Sequence, residues 1–364
     1  LKELPIFRHG KFRGGIMYQP ENRRIMPNGL LAKRTIGYIT EDTLANIVGI
    51  EGSFNSYLAG KDGLKVQQRL TGGAWIDVDN LETVHARPGH DIVTTIDLDL
   101  QDATENALYK QLSRHKAHHG CAVVMEVKTG DIKAIANLEI GSDGQYHETY
   151  NYAVGESTEP GSTFKLMSMI VALEDGVIDL HDTINTGDGT VRYYDKVIRD
   201  HEEEGLGKIT AREVFEHSSN VGTAKIINEN YKDNPRRYID RLYSMQINKP
   251  LDLQIKGEGK PVIRGPGDKL WSGISLPMMS HGYEVQMTPL QILTFYNAVA
   301  NNGKMVKPRF VSEVRDGNRT VKSFDSEVIT NAICSKSTIR KAQSLLEGVV
   351  ENGTAMNLKN SNYK

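Results

Sequence analysis

The sequence predicts an α+β fold in two domains, residues 1–90 and 91–364, and three observations predict it. The first domain mixes short strand-like runs with Gly, Pro and Asn and has no long helical periodicity, which suits an irregular β-rich unit. A helix followed by a β-hairpin opens the second. The remainder is mostly helical and is entered through an apolar helix that carries a lysine at its start.

Taken in order, Ile92 to Ile96 reads as a short strand. Leu100, Ala103, Ala107, Leu108 and Leu112 recur at helical spacing, with Asp97 or Asp99 as the N-cap. Cys121–Val127 and Ile132–Ala136 are strand-like and flank Lys128-Thr129-Gly130-Asp131, a hairpin signal. Asn137 to Tyr150 is polar and loop-like. Pro160 and Gly161 mark a turn. The run Leu166, Met167, Met169, Ile170, Val171, Ala172, Leu173 then predicts a buried helix ending near Gly176. Residues 183 to 207 read as a long irregular stretch. Val221, Ala224, Ile226 and Ile227 mark another helix, and Ala342, Leu345, Leu346, Val349 and Val350 mark the closing one. There is no internal repeat or low-complexity tract.

Bulk properties narrow the function. A length of 364 residues suits two domains with sizeable cores. The net charge of -2 gives no basic footprint for nucleic acid, and no phosphate-binding glycine motif supports a nucleotide. No apolar run reaches the roughly 18–20 residues of a membrane helix. Position 1 is Leu, so an excised or processed piece is expected. The spacing of Cys121 and Cys334 does not establish a disulfide, and Cys121 reads as a small buried residue.

The chemistry concentrates in Pro160-Gly161-Ser162-Thr163-Phe164-Lys165 and Ser218-Ser219-Asn220. Residues three apart share a helical face, so Lys165 can lie beside the Ser162 hydroxyl. A serine hydroxyl needs a base to become a nucleophile. Lysine can be that base when burial disfavours its ammonium form. The helix N-terminus adds unpaired N–H groups that favour developing negative charge. Ser-x-x-Lys alone is also what a capped, solvated helix shows. Here the lysine opens an apolar helix, and a Ser-x-Asn element follows with a helix behind it.

With these motifs the chain resembles a class B penicillin-binding protein, a bacterial peptidoglycan D,D-transpeptidase. The likeness extends to Arg34-Thr35-Ile36-Gly37-Tyr38, Gly49-Ile50-Glu51-Gly52 and Tyr57-Leu58-Ala59-Gly60-Lys61-Asp62-Gly63, which resemble that family's pedestal. Pro88 to Asp97 resembles the entry to its transpeptidase domain, and Gly282 to Gln291 and Asn301-Asn302-Gly303 are similar to later landmarks. The pedestal pattern resembles the septal, cell-division branch more than the elongation branch. The resemblance implies a pedestal over 1–90 and, over 91–364, a transpeptidase domain of the serine β-lactamase-like fold. It also implies a single-pass inner-membrane anchor outside this chain and a periplasmic catalytic part.

The family's third motif, Lys-Thr-Gly, does not follow Ser218-Ser219-Asn220. The tripeptide occurs once, as Lys128-Thr129-Gly130, where it reads as a hairpin turn. Gly353-Thr354-Ala355 resembles the stretch before the missing motif, so a C-terminally truncated transpeptidase domain is expected. Because the family's third-motif strand gives one of two oxyanion donors, the resemblance implies that this chain is impaired as an enzyme.

Other features have plainer readings. His115, His118 and His119 have spacing that could ligate a metal but read as a solvated helix end. His217 could be a base but reads as structural or surface. Glu202-Glu203-Glu204 reads as a solvated loop.

The resemblance implies the roles. Ser162 attacks the penultimate D-Ala carbonyl of a stem peptide, Lys165 takes its proton, Ser218 relays a proton to the leaving amine, and Asn220 holds the substrate backbone. No metal or organic cofactor is required. The implied partners are peptidoglycan stem peptides, β-lactam antibiotics and membrane division proteins. Two alternatives stand beside this. A β-lactam sensor or β-lactamase would need no pedestal. A non-catalytic division scaffold would need no intact Ser162, Lys165, Ser218 and Asn220.

Overall fold

The computed structural model describes residues 3–9, 13, 24–38, 48–71, 75–78, 84–201 and 204–359. Glu202 and Glu203 of the acidic run lie outside the described residues, and Glu204 is exposed.

The described N-terminal residues combine short helices, Lys33–Ile36, Gly49–Ser53 and Asn55–Leu58, with an antiparallel ribbon of Gln67–Arg69 and Trp75–Asp77. Bridges from Lys61 to Arg87 and from Leu64 to Val84 extend the ribbon. Arg34–Tyr38 and Gly49–Gly52 meet where Tyr38 bridges Val48. A Cβ on Gly37, at φ +87°, would lie 1.9 Å from the Val48 carbonyl oxygen, so this crossing needs glycine.

The strand expected at Ile92–Ile96 is Asp91–Thr94. It forms the edge of an antiparallel sheet with Val311–Asp316 and Arg319–Ser323. Asp97 is the cap of helix Leu98–His115, its carboxylate accepting from Leu100 N at 3.0 Å. The hairpin pairs His119–Met125 with Ile132–Ile140. Lys128-Thr129-Gly130 forms its turn, with Gly130 at φ 80° and the Thr129 hydroxyl donating to Glu126 at 3.0 Å. The two sheets join at this turn: Arg309 N donates to Gly130 O and Ile132 N to Arg309 O. The Thr95 hydroxyl bridges Ile132 O and Arg309 O.

Two stretches differ from the sequence reading. Asn137–Tyr150 is not simply a loop: the strand runs to Ile140, and Tyr146–His147 pairs back on it. The polar residue that suggested a loop, Asn137, is buried, and its side chain accepts from Ala153 N at 2.9 Å. The described residues between 183 and 210 also carry strands: Thr183–Gly187 pairs with Gly207–Thr210, and Thr190–Tyr193 with Lys196–Arg199. These strands are short, polar and about half exposed, so they carry no apolar alternation to read.

The central helix, Lys165–Glu174, is buried from Lys165 to Leu173. Helices Asn220–Tyr231, Pro235–Ser244 and Lys336–Glu351 pack against it. Tyr231, Tyr238, Phe295 and Leu345 fill the shared core. A second core joins Ile50 and Phe54 from the N-terminal part to Ile132, Ile135, Phe310 and Val311. Polar contacts reinforce it: Arg34 N donates to Glu148 at 2.8 Å and Asn151 Nδ2 to the Thr35 hydroxyl at 3.2 Å.

Candidate active site

Ser162 sits in a tight 3-10 turn, Gly161–Phe164, and Lys165 is the first residue of the α-helix that follows. The sequence predicts Ser162 in the helix's first turn; that turn is wound more tightly than an α-helix. The turn is braced on several sides. The Tyr296 hydroxyl donates to Thr163 O at 2.9 Å, and the Thr163 hydroxyl to Pro160 O at 2.7 Å. Gly161 N donates to Gly282 O at 3.1 Å. Gly282 has φ +90°, and a Cβ there would lie 2.0 Å from Gly161 O. The Gly282 segment is thus pressed backbone to backbone against the serine turn.

Ser162 is exposed, whereas Lys165 is 1% exposed. The Lys165 ammonium group finds its partners 53 residues away: Nζ donates to Ser218 O at 2.5 Å and to the Ser218 hydroxyl at 3.0 Å. Burial pushes the Lys165 pKa down to about 8, while the negative charge of Asp200 works in the other direction.

Ser218 follows helix Ala211–Glu216, which starts in a reciprocal Thr210–Glu213 capping box. His217 terminates that helix. Ser218 has φ 56°, a left-handed conformation uncommon for a serine. It turns the chain so that Ser219 caps helix Asn220–Tyr231, its hydroxyl accepting from Gly222 N at 2.8 Å. The Asn220 side-chain amide donates to Arg199 O at 2.8 Å. Lys165 and Ser218 are therefore in contact, with Ser162 one turn before Lys165 and Asn220 two residues beyond Ser218.

Two residues at the site carried no signal strong enough to single them out in the sequence. Asp200, at the end of strand Lys196–Arg199, accepts from the Ser219 hydroxyl and from Val221 N. His281 is 3% exposed, and its Nδ1 lies 2.8 Å from Pro277 O. A carbonyl only accepts, so Nδ1 carries the proton. Burial, and then the positive charge of Lys165, pull the His281 pKa down to about 4.

The histidines at 115–119 do not form one solvated helix end. His115 closes its helix, but His119 starts a strand, stacks on Tyr152 with ring centroids 4.2 Å apart, and lies 3.3 Å from Glu156. Among the described residues, no group of three His, Cys, Asp or Glu side chains could hold a metal ion. Cys121 and Cys334 are both free thiols, each half-buried and with its pKa raised by burial.

Comparison with known proteins places this geometry. The penicillin-binding protein dimerisation domain family matches residues 8–94, and the penicillin-binding protein transpeptidase domain family matches residues 120–364. The chain is 28% identical to the penicillin-binding protein PbpB of Mycobacterium tuberculosis, over 91% of this chain and 48% of that protein. It is 26% identical to the peptidoglycan D,D-transpeptidase FtsI of Escherichia coli, over 92% of this chain and 54% of that one. It thus spans about half the length of these curated relatives. Among solved structures, penicillin-binding protein 3 of Mycobacterium tuberculosis in complex with aztreonam superposes with a TM-score of 0.73 at 26% identity, covering 91% of this chain and 69% of that one. Sequence family, fold and the meeting of Lys165 with Ser218 agree: the chain belongs to the penicillin-binding protein transpeptidase family, as a class B member with FtsI and PbpB among its relatives.

Proposed function

We propose that the chain is the catalytic part of a peptidoglycan D,D-transpeptidase in septal wall synthesis, and that β-lactams acylate it as substrate mimics. The observation that carries this reading is the buried Lys165 amine, bound to Ser218 and one turn from Ser162. A neutral primary amine has two N–H donors and one lone pair. Both donors can serve the Ser218 oxygens, which leaves the lone pair for the Ser162 proton.

The Ser162 hydroxyl oxygen attacks the carbonyl carbon of the penultimate D-Ala as Lys165 takes its proton. The tetrahedral intermediate then breaks its C–N bond. The Ser218 hydroxyl relays a proton to the departing amine, and terminal D-Ala leaves. An amine from a neighbouring stem peptide attacks the acyl-enzyme, forms the cross-link and returns the proton to Ser162. Asn220 holds the substrate backbone. A β-lactam follows the first half, its ring amide replacing the D-Ala–D-Ala bond.

The relatives named FtsI support the septal assignment, which makes membrane division proteins the proposed partners. Peptidoglycan lies outside the cytoplasmic membrane, so the proposed site of action is periplasmic, with a single-pass inner-membrane anchor. Among the described residues no helix is long and apolar enough to cross a membrane. The test is mass spectrometry after penicillin treatment. The adduct is expected on the peptide containing Ser162 and absent from Ser162→Ala. An adduct that persists in Ser162→Ala would overturn the assignment.

A further inference from the structure

The chain enters the Ser218-Ser219-Asn220 motif strained, with Ser218 at φ 56°. Such a conformation persists only where its surroundings over-determine it. One side of that constraint is local: Ser218 N donates to Phe215 O and Ser219 N to Val214 O. The other side comes from a different element. Strand Lys196–Arg199 ends beside the motif, and Asp200 N donates to Gly189 O at 2.9 Å, which fixes the strand end. Oδ1 of Asp200 accepts from the Ser219 hydroxyl at 3.0 Å and from Val221 N at 2.9 Å, and Oδ2 lies 2.9 Å from the same hydroxyl. Arg199 O takes the Asn220 amide. Ser219, the residue clamped, is 1% exposed. The hydroxyl of the middle serine therefore binds a carboxylate, while both hydrogen bonds of the amine go to the first serine.

We propose that Asp200 is a positioning residue for the transpeptidase centre: through Ser219 and Val221 its carboxylate holds the left-handed Ser218 turn so that both Ser218 oxygens meet Lys165 Nζ. The inference rests on the acyl-transfer reading above and adds to it a control on the base. Asp200 carries a negative charge close enough to favour the Lys165 ammonium, opposing the effect of burial. Lys165 in turn acts on His281, which follows helix Ser275–Ser280 and whose pKa the positive charge of Lys165 helps to depress. Asp200 thus has two separable effects. It sets the geometry of the motif, and it sets the pH at which Lys165 becomes a neutral base.

The experiment measures β-lactam acylation of the full chain against pH for the wild type, Asp200→Asn and Asp200→Glu. Asp200→Asn removes the charge, so its rising limb should move about one pH unit lower, and its plateau should fall roughly tenfold to a hundredfold as the motif loosens. Asp200→Glu keeps the charge on a longer stem, so its limb should stay near the wild-type position while its plateau falls. A second readout needs no turnover: the Lys165 side chain is titrated by NMR in the wild type and in Asp200→Asn, with its signal assigned by its loss in Lys165→Arg. A lower Lys165 midpoint in Asp200→Asn supports the proposal. Wild-type rate and midpoint in folded Asp200→Asn would overturn it. So would a rate loss with an unmoved midpoint, which would leave Asp200 a merely structural residue. Failure of the underlying reading looks different: the wild type itself would show no Ser162-dependent acylation, while the NMR titration would still decide the role of Asp200.

Discussion

Lys165 Nζ donates to two oxygens of one residue, the carbonyl and the hydroxyl of Ser218, at 2.5 and 3.0 Å. The amine opens an apolar helix and is buried there, yet its hydrogen-bonding partners come from a turn held by a different helix and a different strand. This contact brings the two sequence motifs together. A buried lysine without it would leave donors unsatisfied in the core, at about 1–3 kcal/mol for each.

Lys165→Arg should abolish acylation while preserving the fold. Arginine keeps the charge but does not deprotonate in proteins. Loss of a general base is expected to cost on the order of 100- to 10,000-fold in rate. Stopped-flow acylation by a chromogenic β-lactam measures this, with circular dichroism as the folding control. Near-normal acylation would place the base elsewhere, with His217 the next residue to test.

The acylation rate of the wild type should rise with pH through a midpoint near 8, where Lys165 loses its proton. The same pKa fixes a stability effect. Between about 8 and the ordinary 10.5, the unfolded lysine holds a proton that the folded one has released. The unfolded state therefore binds more protons, and stability rises with pH across that window. The Lys165 contribution is least favourable below 8 and is relieved by 10.5, a difference on the order of 3 kcal/mol. Denaturant unfolding at pH 7.5 and 10.5, compared between wild type and Lys165→Met, reads it. An identical pH slope in the two proteins would contradict the depressed pKa.

Gly348→Ala should destabilise, against helix propensity. Replacing a mid-helix glycine by alanine ordinarily stabilises by about 1 kcal/mol. Gly348 lies in helix Lys336–Glu351, and a Cβ there would lie 1.9 Å from Glu216 Oε1, on a carboxylate 3% exposed. Arg212 holds that carboxylate from 3.5 Å. The clash should outweigh propensity, with a net loss of about 1–3 kcal/mol. Thermal unfolding measures it, and Glu216→Ala in the same chain should recover most of the loss. A Gly348→Ala protein as stable as wild type would show that the contact yields easily.

Gly282→Ala should impair both acylation and stability, because its Cβ would strike Gly161 O in the turn that carries Ser162. Displacing a reacting group by about 1 Å can cost on the order of 100-fold in rate. The loss should fall mainly on the acylation step rather than on reversible β-lactam binding. Stopped-flow rates over a range of β-lactam concentrations separate the two, and loss of binding with unchanged acylation would refute this placement.

Much of the fold is legible in local pattern. The apolar run from Leu166 to Leu173 is buried on all sides in the structure, and its period and length identify a helix without reference to anything distant. The hairpin around Lys128–Gly130 is equally local, since turn residues between two strand-like runs suffice. Local pattern narrows the cap of the 98–115 helix to Asp97 or Asp99, and the choice of Asp97 depends on one side chain reaching Leu100 N. The strands between residues 183 and 210 are not legible in the sequence, because short, polar, half-exposed strands have no period to detect.

The sequence by itself determined that Lys165 opens a buried helix with Ser162 three residues before it, because the side chains that follow the lysine are apolar and three residues are nearly one turn. It could not determine where the lysine's hydrogen bonds go. Tertiary structure alone decided that Ser218 turns left-handed to meet Lys165, that Asp200 clamps Ser219 from a separate strand, and that the buried His281 feels the charge of the amine. The physical reason is range. Helical periodicity and capping act within a few residues, whereas the partners of a buried charge are whichever groups the closed fold brings within about 3 Å, at any distance along the chain.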